Sequence, residues 1–488
     1  MAVELSGGLT VATLALREFH SFRAAGRDLL YLVPSAAIFG IDEVTAAVVQ
    51  AVSEEPRSEN ALVSALADRF PGEEVRTAIG ELRRVHAVGF EHQHEEQPAR
   101  VLPSVPFPLN TLVLNLTNQC NLACAYCYEY GDDKIVDVHH ADRPRFMSGE
   151  TARRAVDVLL RESGASRVVH LTFFGGETLL NVPVLEATVA YARSAAAQAG
   201  KQIDFSLTTN ATLLRPEIIA FLADNQVGVT ISIDGPRELQ NKFRVFADGT
   251  GSYDIVAPKI KALLHRHRSR PIGARVTLTS DARDVARIYH HLTGEFGFWE
   301  VGFALVTTSA NQQHAIDERA FDGVLEQFRA LAQEFLDHAV ANRHHGFSNV
   351  RRTLEEIHKG ASKAYPCGAG IGLLGVATDG DVAVCHRFAG SGLFKLGTVH
   401  DGIDRTAQVA FLETHHIDDK TGCSRCWARP LCAGGCYHEA QVRYGASTRP
   451  NLHYCEWIRG WTDTCLQIYG ELAERNPAFL ARLDHEKQ

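Results

Sequence analysis

No apolar run in this 488-residue chain approaches the roughly 18–20 residues that cross a bilayer, so neither a membrane span nor a membrane partner is expected. After Met1-Ala2-Val3-Glu4 there is no basic stretch followed by an apolar core, so no signal peptide is expected and the expected location is the cytoplasm. Positive charge is not in excess either. The chain has 49 Lys plus Arg against 58 Asp plus Glu, a formal net charge of −9, which excludes a general polyanion binder and makes a nucleic-acid partner unexpected. There is no internal repeat and no low-complexity tract. Residues 1–100 contain no Lys at all, with nine Arg and fifteen Asp plus Glu.

Cysteine is absent from residues 128–366, although the chain has 11 of them. The count is odd and no export signal is visible, which speaks against a disulfide framework. Scattered core thiols would not leave so long a gap. Cys120, Cys124 and Cys127 form one cluster; Cys367, Cys385, Cys423, Cys426, Cys432, Cys436, Cys455 and Cys465 lie towards the C-terminus. Metal ligation is the favoured reading.

Three regions follow from the patterning. In residues 1–100, Phe19–Val33 reads as two strands around Ala24-Ala25-Gly26, ended by Pro34. Asp42 is placed to cap a helix carrying Val44, Val48, Val49 and Val52. Further helices fit Ala61–Phe70 and the stripe Val75, Ile79, Leu82 and Val85, with Gly89 beyond its end. A hairpin with three helices is a winged-helix-like α+β pattern, and its acidity argues against DNA. His92–Pro106 reads as a linker. Residues 108–350 alternate strands (Thr111–Thr117, Val168–Phe174, Phe205–Thr209, Val229–Ile233, Ala274–Thr279, Val301–Val306) with helices such as Gly149–Glu162, Val184–Ala199 and Asp281–Gly294. This is an α/β pattern with a parallel sheet, open or closed, whose functional groups sit at the strands' C-terminal ends. Cys120, Gly175-Gly176-Glu177, Asn210 and Asp234 all fall at such ends. Residues 360–488 are rich in Gly and Cys and lack regular periodicity until a terminal helix over Trp457–Leu480.

Cys120-Asn121-Leu122-Ala123-Cys124-Ala125-Tyr126-Cys127 has the spacing C-x3-C-x2-C directly after a strand. Three thiolates in one loop can hold three corners of a cubane iron–sulfur cluster and leave the fourth iron open; structural zinc would want a fourth ligand. The stretch, including Tyr126, resembles the radical S-adenosylmethionine (SAM) superfamily. That resemblance implies a partial TIM-type (β/α)6 barrel and a [4Fe-4S] cluster that binds SAM and cleaves it to a 5′-deoxyadenosyl radical. Gly175-Gly176-Glu177 resembles the family's SAM-contacting loop, with Thr178 where Pro is usual. Ser206 and Asn210 are placed to contact SAM. Ser232-Ile233-Asp234-Gly235 resembles the fourth-strand motif, and Arg244 stands where the family often has an Arg for the SAM carboxylate. Asp234 is the candidate for a catalytic role, against ordinary turn chemistry before Gly235-Pro236.

The C-terminal cysteines, with Gly380 between Cys367 and Cys385, resemble the SPASM extension of radical SAM peptide-modifying enzymes. The resemblance implies an outer auxiliary cluster on Cys423, Cys426, Cys432 and Cys455 and an inner one on Cys367, Cys385 and Cys436. In isolation Cys423, Cys426, Cys432 and Cys436 would also fit a zinc ribbon. The inner set is one thiol short, with Ala361 near the position where some members have another Cys. Cys465 could complete it, a substrate thiolate could, or Cys465 is a buried free thiol. His386 stands where sulfatase-maturing relatives carry an Asp base, and is a second catalytic candidate.

Three modules follow from this resemblance. Residues 1–100 would recognise the leader of a peptide by adding it as a strand, residues 108–350 would form the radical SAM core, and residues 360–488 the SPASM domain. Cys120–Val136, with Tyr128-Glu129-Tyr130-Gly131, and Tyr31-Leu32-Val33-Pro34-Ser35-Ala36-Ala37 resemble the family that matures quinohemoprotein amine dehydrogenase. Its members form thioether crosslinks between Cys sulfur and Asp or Glu methylenes of the small γ subunit. The implied partners are a small Cys-containing polypeptide and an electron donor such as flavodoxin or ferredoxin; the implied cofactors are three [4Fe-4S] clusters and SAM. Other peptide modifications (sactipeptide-type or carbon–carbon crosslinking, formylglycine-type oxidation) and a non-enzymatic metal-cluster scaffold are the alternatives.

Overall fold

A computed structural model describes residues 12–33, 35–90, 102, 107–129, 131, 133–135 and 143–485. The expected linker His92–Pro106 lies outside the described residues except for Leu102, as do Pro34, Tyr130 and Val136.

The N-terminal region runs β1 (Thr13–Leu16), β2 (Phe19–Ala24), β3 (Arg27–Leu32), β4 (Ala37–Ile41), α1 (Glu43–Glu54), β5 (Arg57–Ser58), α2 (Glu59–Ala65), α3 (Gly72–Arg84) and β6 (Val88–Phe90). Asp42 caps α1, its carboxylate accepting from the Thr45 N–H at 2.8 Å. The expected hairpin is β2–β3, turning at Ala25 (φ 49°) and Gly26 (φ 74°), both left-handed as a tight hairpin demands. It does not share a sheet with β1. Two three-stranded sheets form instead, β5-β1-β6 and β2-β3-β4. Strands of two to five residues are too short for alternation to show, so four of these escaped the sequence pattern. Val48, Val52, Leu62, Val75, Ile79 and Leu82 close a small core over the first sheet. Two boundaries differ from expectation. The second helix stops at Ala65 and Gly89 lies within β6, the chain leaving α3 through His86 (φ 58°).

All six expected core strands are present: β7 (Thr111–Asn115), β8 (Val168–Phe174), β9 (Gln202–Thr209), β10 (Gly228–Ser232), β11 (Ile272–Leu278) and β12 (Glu300–Leu305). They pair in parallel and in chain order. Helices cross between or follow them: α4 (Gly149–Glu162), α5 (Val182–Gln198), α6 (Pro216–Asp224), α7 (Arg237–Phe243), α8 (Tyr253–Arg266), α9 (Val285–His290), α10 (Glu318–Val340) and α11 (Ser348–Lys359). Helix α9 is shorter than expected because a π-helical turn, His291–Phe296, takes over. Along each strand one face packs on helices. On β11 these are Ala274, Val276 and Leu278, while Gly273, Arg275 and Thr277 face the inside of the partial barrel.

The C-terminal region does not fold apart from this sheet. Strand β13 (Leu373–Val376) pairs parallel with β7, and β14 (Asp381–Ala383), β15 (Lys395–Thr398) and β16 (Gly402–Ile403) continue antiparallel, giving ten strands. Then follow α12 (Arg405–His415), α13 (Arg429–Cys432), α14 (Tyr437–Tyr444), α15 (Cys455–Arg475) and α16 (Pro477–His485). The single expected terminal helix is two, because Pro477 cannot continue α15 and starts α16 instead. Among the described residues no helix is long and apolar enough to cross a membrane.

Sheet β2-β3-β4 docks on α15. His20 Nε2 lies 2.7 Å from Asp463 Oδ1, the Ala25 N–H donates to Glu471 at 2.5 Å, and His20 stacks on Trp427. Gly470 makes the approach possible, since a Cβ there would sit 2.6 Å from the Ala24 Cβ. Gly470→Val is expected to cost about 1–3 kcal/mol by overpacking and to lower the thermal midpoint; an unchanged melt would contradict this docking.

Candidate functional site

The C-terminal ends of β7 to β10 form one rim. After β7 the chain enters the loop that holds Cys120, Cys124 and Cys127. The loop is tied by its own backbone: Cys127 N–H to Cys124 O at 3.0 Å, Gly131 N–H to Cys127 O at 2.7 Å and Ala123 N–H to Val245 O at 2.7 Å. Burial is the main cause pushing the Cys120 thiol up to about 12, and Cys124 and Cys127 add to it by mutual repulsion.

At the end of β8, Gly175 has φ 127° and a Cβ there would overlap the Thr117 carbonyl oxygen, so only glycine fits. The Gly176 N–H donates to Thr117 O at 3.0 Å and the Glu177 N–H to Gln119 O at 2.9 Å, fixing this turn to the cysteine loop. The Glu177 carboxylate is buried and accepts from Leu179 N–H, Thr209 Oγ1 and Asn210 N–H at 3.0, 2.6 and 2.8 Å. Burial pushes its carboxyl up and these donors, by favouring the charged form, offset part of the rise. Glu177 therefore ties β8 to β9. Thr178, in place of the usual Pro, does the same through Oγ1 to Thr208 O at 2.8 Å. Asn210 lies over the loop, with Nδ2 3.0 Å from Asn121 Oδ1 and 3.9 Å from Cys120 Sγ. Ser206 Oγ is 2.9 Å from Thr172 Oγ1, three residues before the end of β9.

Asp234 is fully buried and accepts four hydrogen bonds. They come from Arg244 Nε (3.0 Å) and Nη2 (3.2 Å), from the Thr277 N–H (3.1 Å) and from the Tyr126 hydroxyl. Four donors fill a carboxylate's acceptor sites, so Asp234 has no lone pair left for a substrate proton. The catalytic role expected for it becomes a positioning role, holding Tyr126 and Arg244 at the rim. Burial works against the Arg244 charge, but Asp234, Tyr126 and Cys124 outweigh it and hold its pKa above the ordinary value. Arg244 also lies 5.5 Å over the Tyr126 ring and beside Cys124, whose thiol burial pushes up. Ser232 ends β10 beside them, facing the barrel interior.

The remaining thiols fall into two sets by their mutual electrostatics. Cys423, Cys426, Cys432 and Cys455 line one cavity of about 490 Å³, with Arg459 Nη1 4.0 Å from Cys426 Sγ. Burial pushes Cys423 and Cys432 up to about 11, and the other members add to it. Cys367, Cys385 and Cys436 act on one another, with Cys385 pushed up to about 12 mainly by burial. Cys436 thus groups with Cys367 and Cys385, not with the zinc-ribbon quartet. Cys465 joins neither set. It is fully buried on α15, is pushed up by burial, and its one polar neighbour is Thr353.

His386 is packed 4.6 Å from the Phe174 ring, with Nδ1 buried and unpartnered. Burial first, and Arg387 second, pull it down to about 3. A group so weakly basic is a poor proton acceptor at neutral pH, which argues against His386 as a base.

All eleven cysteines are free. Among the described residues no three Cys, His, Asp or Glu converge around a single metal ion; a cubane instead takes one thiolate at each iron. The donor sets fit such clusters, because each is all-thiol and Lys420 lies among them. Lys420 is a fully buried ammonium bonded to Ala433 O at 3.2 Å. Burial lowers its pKa, while Cys423 and Cys432 of one set and Cys367 and Cys436 of the other support its charge. A buried cation is tolerated beside anions, and the thiolates of clusters held by these two C-terminal sets would be those anions. Lys420, Arg387, Glu129 (a buried carboxyl pushed up to about 7) and Arg275 were not singled out from sequence. Only Arg275 carried a readable signal, a charge inside a strand of a parallel sheet covered on both faces.

Residues 114–278 match the model of the family described as the Radical SAM superfamily, and the α/β partial barrel is the radical SAM fold. Among characterised relatives, the chain is 32% identical over 165 residues to the serine-type anaerobic sulfatase-maturating enzyme of Bacteroides thetaiotaomicron, 33% of this chain and 37% of that protein. It spans less than half the length of this relative, and 44% of an uncharacterised protein of Methanocaldococcus jannaschii. It is 22% identical to the radical SAM cyclopropyl synthase TigE of Paramaledivibacter caminithermalis over 75% of this chain and 74% of that one. The structure of native anSMEcpe with bound AdoMet superposes with a TM-score of 0.62 at 22% identity, over 77% of this chain and 100% of that one. Streptococcus suis SuiB bound to precursor peptide SuiA gives 0.50 at 13% identity, over 91% and 100%.

Asp234→Asn leaves Arg244 buried without a counter-charge and is expected to destabilise the fold by about 3–5 kcal/mol, read by chemical denaturation. Adding Arg244→Met should recover part of the loss; a single variant as stable as wild type would contradict the buried pair.

Proposed function

We propose that the protein is a radical SAM enzyme that forms thioether crosslinks in a ribosomally made polypeptide. The observation that carries the reading is the division of ten thiols into three sets, one at the rim of a radical SAM barrel and two beside it. Cys120, Cys124 and Cys127 would hold the cluster that binds SAM. Cys423, Cys426, Cys432 and Cys455 would hold an outer auxiliary cluster, and Cys367, Cys385 and Cys436 an inner one. When bound, the first cluster and SAM supply abstraction of a hydrogen atom from carbon. The chain's own part is to shape the rim through Gly175 and Gly176, to hold Tyr126 and Arg244 through Asp234, and to keep the site shielded. The inner set, with three thiols and Cys465 elsewhere, has a place for a substrate sulfur.

The relatives named above include sulfatase maturases, a cyclopropyl synthase and a protein bound to its precursor peptide, which supports a polypeptide substrate. The sequence resemblance points within that class to Cys-to-Asp/Glu thioethers in the γ subunit of quinohemoprotein amine dehydrogenase. The weak basicity of His386 speaks against the sulfatase-type oxidation. A leader segment would add to β4, the free edge of its sheet, where Phe39 is exposed. Flavodoxin or ferredoxin would supply electrons.

Anaerobic incubation with SAM, a reductant and the γ subunit is expected to remove two hydrogens of mass per crosslink, located by tandem mass spectrometry; an unchanged mass would sink the reading. Cys436→Ala is expected to lose about four iron atoms while Cys465→Ala keeps the wild-type iron content. Equal losses would overturn the assignment of the inner set.

A further inference from the structure

Arg275 lies in the middle of β11, in register with Ser232 on β10 and Gly302 on β12. Its neighbours Ala274 and Val276 pack outwards on helices, so Arg275 faces into the barrel. Gly302 makes room for it. A Cβ there would stand 2.8 Å from Ser348 Oγ and 3.4 Å from Arg275 Nη1.

The charges around Arg275 are all of its own sign. Burial most of all, then Arg352 on α11 and Arg387, pull it down to about 10, and no carboxylate acts on it. Among the described residues neither Arg275 nor Arg352 has a hydrogen bond or ion pair to an acid. Arg387 is balanced differently: burial opposes its charge, while Cys436, Tyr128, Cys385 and Glu439 support it. Its Nη1 donates to Thr307 Oγ1 at 3.1 Å and its guanidinium lies 4.4 Å over the Tyr128 ring. A partly buried guanidinium inside the barrel with Arg352 and Arg387 acting on it is a ready partner for an anion, and its planar fork suits a carboxylate with two oxygens.

Two neighbours place Arg275 within the barrel. Two residues along β11, the Thr277 N–H bonds Asp234 at the rim. On the other side Arg387 follows Cys385 and His386 of the inner thiol set. Arg352 is exposed and Arg275 partly exposed. A carboxylate held here lies between the rim thiols and the inner set.

The geometry points to Arg275, flanked by Arg352 and Arg387, as the subsite that binds the side-chain carboxylate of an acidic residue in the polypeptide substrate and so presents that residue for modification. This rests on the polypeptide-maturation reading. The same fork could receive the carboxylate of SAM itself, and the experiment separates the two sources.

The anaerobically reconstituted, SAM-bound holoenzyme is titrated calorimetrically with a synthetic γ-subunit peptide spanning one Cys and its acidic partner, and with the same peptide carrying the amide. The acid is expected to bind wild type at least tenfold more tightly than the amide. Arg275→Met should bind the two alike, Arg275→Lys should restore part of the preference, and the Kd for SAM should move less than twofold. Equal affinity for acid and amide on wild type, or no binding of either, overturns the inference without any variant needing to fold. So does Arg275→Met weakening SAM as much as it weakens the peptide, which would assign the fork to SAM. Thioether product without acid preference overturns this inference alone; acid preference without thioether product overturns the crosslinking reading alone.

Discussion

The pairing of β13 with β7 is the constraint on which the site depends. It joins the C-terminal region to the barrel in a single ten-stranded sheet. The cysteine loop leaves the end of β7, and Cys385 leaves the end of β14 two strands away. Asn115, the last residue of β7, donates to the His386 carbonyl at 3.2 Å, and a Cβ on Gly375 of β13 would overlap the His386 backbone. Backbone hydrogen bonds between strands fix such spacings far more tightly than a linker between two domains would. The rim cysteine loop and Cys385 are thereby held on one frame.

Charge balance is the second theme. Lys420 and Arg244 are withdrawn from water, Arg275, Arg387 and most of the thiols partly so, and a charge withdrawn from water needs an opposite charge to be tolerated. Asp234 answers Arg244. The two C-terminal thiol sets answer Lys420, and the inner one also answers Arg387. Among the described residues no carboxylate pairs with Arg275. Within one interior the satisfied groups build the scaffold and the unsatisfied one marks where something from outside is received.

Much of this was legible in the sequence. The six core strands declared themselves through short runs rich in apolar and β-branched residues closed by Gly and polar residues, because the face packed on helices has to be apolar. The thiols declared themselves through their gap and spacing. Other elements could not be read. Strands β5 and β16 have two residues each, below any periodicity, and β13 is too short and glycine-bearing to announce that it pairs with a strand some 260 residues earlier. Residue roles were less legible than residue places. Asp234 and His386 were credible acid–base candidates by position, yet four donors saturate the first and burial leaves the second nearly non-basic. Such outcomes depend on neighbours brought from β11, α7 and β8, which no local pattern contains. Cys465 was likewise within reach by helix length alone, and only the packing of α15 against α11 turned it away from the inner set.

The central claim is that three separate thiol sets each carry a cluster and that one of them binds SAM. Electron paramagnetic resonance of the anaerobically isolated, reduced protein tests it most directly. The account predicts three [4Fe-4S] signals, of which one, absent in Cys124→Ala, shifts when SAM is added. A single cluster signal, or zinc in place of iron at the C-terminal thiols, would contradict it.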